Sequence, residues 1–280
     1  MDNVADHGVS TDASADDQVG GSKLRLVKFG FTGRQWLIIG LLWLGILFMS
    51  WTWGALEPAP PEGEWPSYFP WDPQTQALVF PDTGDHAKQM MVLKGWLDAR
   101  MPFVPLLAIP YIAAMLIWPI VIPFLGVLVG SYRRYLTLAF ALITSMAILD
   151  LGMWMYHTKV IRDVDPGGLL GGSLVKVIYE ADPMGMGGWP SGHVTWSMVC
   201  IIALWRMRKA IPKTAWTLIV VLLLVFPATV MLRQHYLIDV YTGILLGFAS
   251  YWACMFVIER PKLVPRGEET YPRRKPSVRS

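Results

Sequence analysis

The sequence predicts an all-α integral membrane protein, a bundle of six transmembrane helices. Hydrophobic residues make up 54% of the chain and charged residues only 16%, a balance too apolar for an ordinary soluble domain. Apolar runs of roughly the 20 residues that a bilayer requires recur along the chain, separated by polar stretches. We therefore expect membrane lipids to surround the protein and expect no nucleic-acid partner.

Six apolar runs are the candidate spans. They lie near 36–55, 102–129, 135–155, 192–207, 214–232 and 236–258. The fourth run is short and carries Thr195 and Ser197, so its length alone would also suit a core helix of a soluble protein. We interpret it as a span because its five neighbours have clear membrane character.

The two ends of the chain are predicted to be flexible tails around a membrane catalytic domain at 23–259. Residues 1–22 contain five acidic residues, no Lys or Arg and many small residues, so they lack the apolar surface that would order them. This acidic leader is also unlike a signal peptide, which begins with a basic region. Residues 260–280 are predicted to form a basic cytoplasmic tail.

The distribution of Lys and Arg predicts the orientation of the bundle. With a cytoplasmic N-terminus, counting along the chain places 17 of the 24 basic residues on the cytoplasmic side and 7 on the other, as the positive-inside rule favours. Both termini are then cytoplasmic, in a plasma or inner membrane. The loops 56–101 and 156–191 face outward.

Two of the five histidines open apolar runs at the same outward boundary. His193 begins the fourth span and His235 the sixth, and Asp239 follows His235 by one helical turn on the same face. A carboxylate inside a membrane bundle needs a partner. We expect Asp239 to hold the Nδ1 proton of His235, which leaves the Nε2 lone pair for attack on phosphorus. His193 is then the candidate general acid and base.

A phosphate-binding helix end is predicted at the start of the fourth span. Pro190, Ser191 and Gly192 suit the first turn of a helix, with Ser191 as the N-cap. The amides of Ser191 and Gly192, at the positive end of that helix, would bind phosphate oxygens. Arg162 and Arg233, on outward segments that meet the same boundary, are the candidate cationic ligands of the phosphate.

Several other polar residues are interpreted as structural rather than catalytic. Asp150, late in the third span, is interpreted as the partner of a hydroxyl or amide, with contact to the site as the alternative; His157 is interpreted as an interfacial aromatic. The segment 85–100 is predicted to be an amphipathic interfacial helix over the substrate path. Cys200 and Cys254 lie at different depths in apolar spans, so we expect no disulfide, and no stretch resembles a metal-ligand set.

The histidine motifs resemble the type-2 phosphatidate phosphatase superfamily of membrane lipid phosphatases, which also contains lipid headgroup transferases. The resemblance rests on Pro-Ser-Gly-His ending at His193 and on His-x-x-x-Asp from His235 to Asp239, and it covers about residues 98 to 250. It implies a six-helix bundle, a phosphohistidine intermediate on His235, orientation of that histidine by Asp239 and acid–base catalysis by His193. It also implies that no metal or other cofactor is needed.

Further stretches depart from the usual superfamily pattern and resemble one branch of it. If Arg162 is the arginine of the first motif, Met155 and Asp163 stand where the superfamily has Lys and Pro; Ala228-Thr229 stands where the third motif has Ser-Arg. Three stretches are similar to the branch of inositol phosphorylceramide synthases and sphingomyelin synthase relatives: RQHYLIDV, MPFVPLLAIPY and YHTKVIR.

Three functions remain open at this point. The first is a lipid phosphatase that hydrolyses lipid phosphate esters at the extracytoplasmic face, with water resolving the phosphohistidine. The second is a headgroup phosphotransferase, similar to inositol phosphorylceramide synthase, in which a lipid or polyol hydroxyl does so. The third is a non-enzymatic transport or scaffold protein, which has no use for an oriented nucleophile. We favour hydrolysis of a lipid phosphate, because water needs no dedicated acceptor site and the sequence shows none.

Overall fold

The described part of the chain is helical throughout its membrane region. The computed structural model describes residues 31–56, 71–72, 77–78, 93–128, 132–155, 170–182 and 189–259, with isolated residues between 158 and 166 and at 185. Its α-helices are α1 (Gly33–Leu56), α2 (Ala108–Leu116), α3 (Ile122–Leu128), α4 (Tyr132–Met155), α5 (Gly172–Ala181), α6 (Gly192–Met207), α7 (Pro212–Met231) and α8 (Leu237–Ile258). Two two-residue strands, β1 (Trp71–Asp72) and β2 (Ala77–Leu78), pair antiparallel. The predicted all-α class is confirmed; both predicted tails and His157 fall outside the described residues.

Within the described part of the chain, four helical stretches are long and apolar enough to cross a membrane. They are Pro105–Leu128, Tyr132–Met153, Pro212–Met231 and Leu237–Ile258. Helix α6 has only 16 residues, and the apolar stretch Gly33–Met49 of α1 is also shorter than these four. Helices occupy all six predicted runs and indicate a membrane protein, whereas six crossings stay a prediction.

Large apolar side chains form an exposed belt on the outer helices. On α1 and α8 they are exposed at intervals of three or four residues, which places them on one face of each helix. They are Leu37, Leu41, Leu44 and Phe48 on α1, and Tyr241, Leu245, Phe248, Trp252 and Phe256 on α8. Such faces are stable only against other apolar groups, as in a bilayer.

Helix α6 lies at the centre of the bundle. It packs against α4, α7 and α8, and buries Val199, Cys200, Ala203 and Leu204 almost completely. Cys200 and Cys254 are both free thiols. Because α6 begins with the Ser191–Gly192–His193 stretch, its central position carries His193 into the interior of the bundle.

A π turn interrupts the second apolar run and turns an aromatic side chain toward α6. The turn spans Ile117–Val121, between α2 and α3, and contains Pro119, which has no amide N–H to donate. Its carbonyl accepts a hydrogen bond of 2.8 Å from Trp43 Nε1. The neighbouring Trp118 donates from Nε1 to Ser197 Oγ at 3.0 Å, which ties this run to α6.

The segment 156–191, which was predicted to be a loop, contains a helix. Helix α5 follows Gly171, whose φ of 83° lies in the left-handed region that glycine tolerates. Its apolar side buries Val175 and Ile178, and the Tyr179 hydroxyl donates to the Leu232 carbonyl at 3.0 Å. Helix α5 therefore covers the turn between α7 and α8.

The prediction of an amphipathic helix at 85–100 is wrong for residues 93–100, the part that the structure describes. Residues 93–97 form irregular structure and a turn, and a short 3₁₀ helix follows at Asp98–Arg100. The Trp96 ring is 69% exposed, with the Arg100 guanidinium 4.7 Å from its centroid. The physical reason for the shorter helix is that Asp98 binds Gly95 N–H and Leu237 N–H and folds the segment back against α8.

An ion pair fixes the end of the bundle opposite the histidines. Arg206 of α6 donates to both carboxylate oxygens of Glu259 at 2.5 and 2.6 Å, and the Thr137 hydroxyl of α4 donates to Oε1 at 3.0 Å. Burial alone would raise the pKa of Glu259, but the hydrogen bonds and charge of Arg206 outweigh it and hold that pKa below its usual value. Helices α4, α6 and α8 are thus joined at this end.

Candidate active site

His193 and His235 meet at the end of the bundle where α6 and α8 begin. His193 lies in the first turn of α6, and His235 lies two residues ahead of α8. Nε2 of His235 is 3.5 Å from Nδ1 of His193, and their ring centroids are 5.6 Å apart. The structure therefore brings together the two histidines that the sequence placed at one boundary.

Asp239 lies beside His235 on the side away from His193. Its Oδ2 is 3.7 Å from Nδ1 of His235 and accepts a 2.8 Å hydrogen bond from Tyr236 N–H. His235 is 5% exposed and Asp239 is 1% exposed. The other oxygen, Oδ1, accepts no hydrogen bond within the described part of the chain. A small rotation of the imidazole would bring Nδ1–H within hydrogen-bonding distance of this carboxylate.

Glycines in α8 allow the two histidine-bearing helices to approach closely. A Cβ at Gly243 would lie 2.8 Å from the Ser191 carbonyl oxygen, and one at Gly247 would lie 2.5 Å from the Thr195 carbonyl oxygen. This four-residue spacing of small residues is typical of tight helix packing in membranes. The close contact sets the separation of α6 and α8, and with it the distance between His193 and His235.

Ser191 joins the start of α6 to α8. Its hydroxyl oxygen caps α6 by accepting a 3.4 Å hydrogen bond from Val194 N–H, as the sequence predicted. Its own amide donates to the Asp239 carbonyl at 3.1 Å. Of the predicted pair of phosphate-binding amides, that of Ser191 is therefore engaged in the helix contact, and Gly192 is buried beside it.

Two aromatic side chains enclose the His193 ring. Tyr111 of α2 stacks on it, with centroids 4.5 Å apart and an interplanar angle of 22°. Trp118 of the π turn meets it edge-on at 5.4 Å. The sequence did not predict either contact. Aromatic residues are common in apolar runs, and the sequence does not show which residue each of them packs against.

Arg162 is buried beside Asp182, close to the histidines. Its Nη2 donates to Asp182 Oδ2 at 2.5 Å and to Gln234 Oε1 at 3.2 Å, and its Nη1 donates to the Asp182 carbonyl oxygen. Burial raises the pKa of Asp182, an effect that the Arg162 charge partly opposes. Gln234 directly precedes His235, so the Arg162 side chain extends to the predicted site. Most of its N–H donors, however, are already hydrogen-bonded to protein oxygens.

Arg233 holds the segment that precedes the second apolar run. Its guanidinium donates to the carbonyl oxygens of Asp98 and Met101 at 3.2 and 3.1 Å. Its backbone has a φ of 54°, a conformation uncommon for residues other than glycine. Arg233, which was predicted to bind phosphate, therefore binds backbone carbonyl oxygens in this structure.

The other polar residues that the structure describes form no second cluster of titratable side chains that could bind a metal ion. Asp150 is partly buried in α4, and its Oδ1 accepts no hydrogen bond within the described residues. Among the described residues, no group of three His, Cys, Asp or Glu side chains is placed to hold a metal ion.

Fold and site together define a helical membrane protein with a His–His–Asp group at one end of its bundle, in which His235 and Asp239 are buried. Residues 135–262 match the family model of the PAP2 superfamily, and this range includes His193, His235 and Asp239. The match indicates phosphatase or phosphotransferase activity on phosphate esters. It is a match to the superfamily as a whole, so the resemblance to the inositol phosphorylceramide synthase branch stays a prediction. Comparisons with curated proteins and with solved structures found no match.

Proposed function

We propose that the protein is a membrane lipid phosphatase that hydrolyses lipid phosphate esters through a phosphohistidine on His235. The observation that carries the proposal is the position of His235 between His193, at 3.5 Å from its Nε2, and Asp239, at 3.7 Å from its Nδ1. A carboxylate on one ring nitrogen and an acid–base group near the other is the arrangement that nucleophilic catalysis by an imidazole requires.

The first half-reaction forms a nitrogen–phosphorus bond. Asp239 accepts the Nδ1 proton of His235 in a hydrogen bond, and the Nε2 lone pair attacks phosphorus while the bond to the lipid oxygen breaks. His193 gives a proton to that leaving oxygen. In-line attack places phosphorus between Nε2 and the leaving oxygen, so the two imidazoles must separate when substrate binds.

The second half-reaction restores the enzyme. His193, now neutral, takes a proton from water as the water oxygen attacks phosphorus, and the nitrogen–phosphorus bond breaks to release inorganic phosphate. A polyol or lipid hydroxyl in place of that water would give a headgroup phosphotransferase, which the stretch RQHYLIDV favours by its resemblance to that branch. Both reactions use the same three side chains.

Purified protein incubated with lipid phosphate monoesters and phosphodiesters, with and without inositol or ceramide, tests the function. A phosphatase releases inorganic phosphate from a monoester, or a phosphomonoester from a phosphodiester, at a rate that does not depend on the acceptor. A phosphotransferase forms a new phosphodiester only when the acceptor is present. Absence of both products with every lipid tested would favour the transport or scaffold alternative.

His193→Ala should separate the two half-reactions. An aryl phosphate has a leaving group that needs no proton, so we expect its initial burst of aryl alcohol to persist in the variant. A lipid alkoxide does need that proton, and we expect its release to slow by about 10²- to 10⁴-fold. Burst kinetics with both esters measure this, and an equal loss on both would show that His193 is not the general acid.

Arg162 is proposed to contribute to phosphate binding by exchanging Asp182 for substrate. Its buried Nε–H donates to no acceptor within the described residues, so one donor of the guanidinium is not engaged by protein oxygens. Loss of a charge-assisted contact of about 1.5–3 kcal/mol should weaken vanadate binding about 10- to 100-fold in Arg162→Ala. Arg162→Ala also leaves the Asp182 carboxylate without its cation, which the double variant Arg162→Ala/Asp182→Asn avoids. Recovery of wild-type binding in the double variant would show that Arg162 acts only on Asp182.

The site is proposed to face away from the cytoplasm, with both termini cytoplasmic. The excess of Lys and Arg on the other side of the spans supports this orientation. Reporter fusions at positions 175 and 210 should lie on opposite sides of the membrane, with 210 in the cytoplasm. The reverse result would place the site on the cytoplasmic face.

A further inference from the structure

One short segment contacts the catalytic turn on both sides of His235. The segment is residues 95–101, which precede the second apolar run. Arg233, two residues before His235, donates to the carbonyl oxygens of Asp98 and Met101 at 3.2 and 3.1 Å. Leu237, two residues after His235, donates its N–H to Asp98 Oδ1 at 2.8 Å. His235 therefore lies in a turn whose two ends are attached to the same segment.

The side before His235 is held in an uncommon conformation. Arg233 has a φ of 54°, which costs energy for a side chain with a Cβ. The N–H groups of Gln234 and His235 both donate to the Thr229 carbonyl, at 2.9 and 3.0 Å. The guanidinium contacts with 98–101 help to keep this sharp reversal between α7 and α8 in place.

Asp98 caps α8 from a distant part of the sequence. Leu237 is the first residue of α8, and the amides of a helix's first turn have no partner inside the helix. Asp98 Oδ1 accepts the Leu237 N–H, and Asp98 Oδ2 accepts Gly95 N–H at 2.8 Å. The residue is 4% exposed, and its negative charge suits the positive end of α8. Both carboxylate oxygens are thus used in fixing one geometry.

We infer that Asp98 is a positioning residue for His235. It fixes the peptide of Leu237, which lies midway between His235 and Asp239, and so keeps Nδ1 of His235 within reach of the Asp239 carboxylate. The effect of Asp98 on catalysis rests on the proposed function. Its effect on the orientation of His235 does not depend on that function. A misplacement of about 1 Å in such a site is enough to cost roughly 100-fold in rate.

Two pairs of variants test the hydrogen bond from either side. Asp98→Ala removes the acceptor and Asp98→Asn keeps one oxygen for Leu237 N–H. Leu237→Pro removes the donor at a first helical position where proline is tolerated, and Tyr236 already has the extended conformation that a following proline requires, with φ −96° and ψ 163°. Leu237→Ala removes the same side chain and keeps the donor. Glu180→Gln, an exposed acid on α5, is the control.

The expected result is a loss in kcat with little change in KM. Asp98→Ala and Leu237→Pro should each lower kcat on an aryl phosphate by about 10- to 100-fold, while Asp98→Asn and Leu237→Ala should stay within about threefold of wild type. Combining Asp98→Ala with Leu237→Pro should add no further loss, because both remove the same bond. Equal kcat in Asp98→Ala and wild type, or no recovery in Asp98→Asn, would overturn the inference.

A spectroscopic measurement separates this inference from the proposed function. Nitrogen NMR of labelled histidine reports which ring nitrogen of His235 carries the proton, without any substrate. We expect the Nδ1–H form in wild type and a mixture of tautomers in Asp98→Ala and Leu237→Pro. Inactivity of the wild type on every phosphate ester would defeat the proposed function and leave this test intact. Identical His235 spectra in all variants would overturn the positioning role.

Discussion

His235→Ala is expected to remove phosphoryl transfer almost completely. The variant lacks the imidazole whose Nε2 lies near His193 and whose Nδ1 lies near Asp239, and loss of a covalent nucleophile typically costs 10⁴-fold or more in kcat. The same variant should still fold, because the helix contacts at Gly243 and Gly247 do not involve the imidazole. Inorganic phosphate release from an aryl phosphate and a thermal unfolding curve measure the two effects.

His86→Ala is the matched control for that prediction. It makes the same chemical change at a histidine outside both histidine motifs, so we expect wild-type turnover. Turnover by His235→Ala within tenfold of the wild type, with the protein folded, would rule out His235 as the nucleophile.

Gly247→Ala is expected to disrupt the bundle itself. The added Cβ would lie 2.5 Å from the Thr195 carbonyl oxygen and 2.9 Å from Met198 Cβ, and neither neighbour is the movable end of a long side chain. Helices α6 and α8 must therefore move apart, at a cost of about 1–3 kcal/mol typical of overpacking. The movement also separates His193 from His235, so activity should fall together with the unfolding temperature.

Gly40→Ala makes the same change where there is room for it. Apart from the chain neighbours and the adjacent backbone of α1 itself, no described atom lies within 4 Å of a Cβ built at Gly40, and alanine is the better helix former by about 1 kcal/mol. We expect this variant to be as stable as the wild type or more stable, with unchanged turnover. Equal unfolding temperatures for Gly247→Ala and Gly40→Ala would contradict the packing of α6 against α8 through Gly247.

The catalytic candidates were predictable because their signal is local. His235 and Asp239 stand one helical turn apart, and His193 follows a helix-start sequence at the same boundary. Asp98 was not predictable as a partner of α8, because its bond to Leu237 joins residues 139 positions apart. Tyr111 and Trp118 were missed for the same reason, since their role depends on which helix packs against them.

The two arginines show a different limit of sequence reasoning. A cation near a predicted phosphate site is a sound candidate, but sequence does not reveal the oxygens that compete for it. The structure shows Asp182 and Gln234 around Arg162, and two backbone carbonyls around Arg233. Their roles therefore depend on tertiary contacts.

The apolar runs predicted where the helices lie. They did not predict where a helix is interrupted or which helix is most buried. All six runs contain helices. The π turn at Ile117–Val121 lies inside a continuous apolar run, so apolarity does not distinguish it from α-helix, and the short helix α5 lies outside the six runs. Helix α6 was the weakest candidate span because of its length. It is nevertheless the most enclosed, because α4, α7 and α8 surround it.

The most direct test of the account is to trap the phosphoryl group on the protein. Wild type, His193→Ala and His235→Ala are mixed with a phosphorus-labelled aryl phosphate and denatured at alkaline pH, where phosphohistidine survives. Trypsin cleaves after Arg206 and Arg233, so His193 and His235 fall in different peptides. The account predicts label on the His235 peptide, more of it in His193→Ala and none in His235→Ala. Label on the His193 peptide, or undiminished label in His235→Ala, would contradict it.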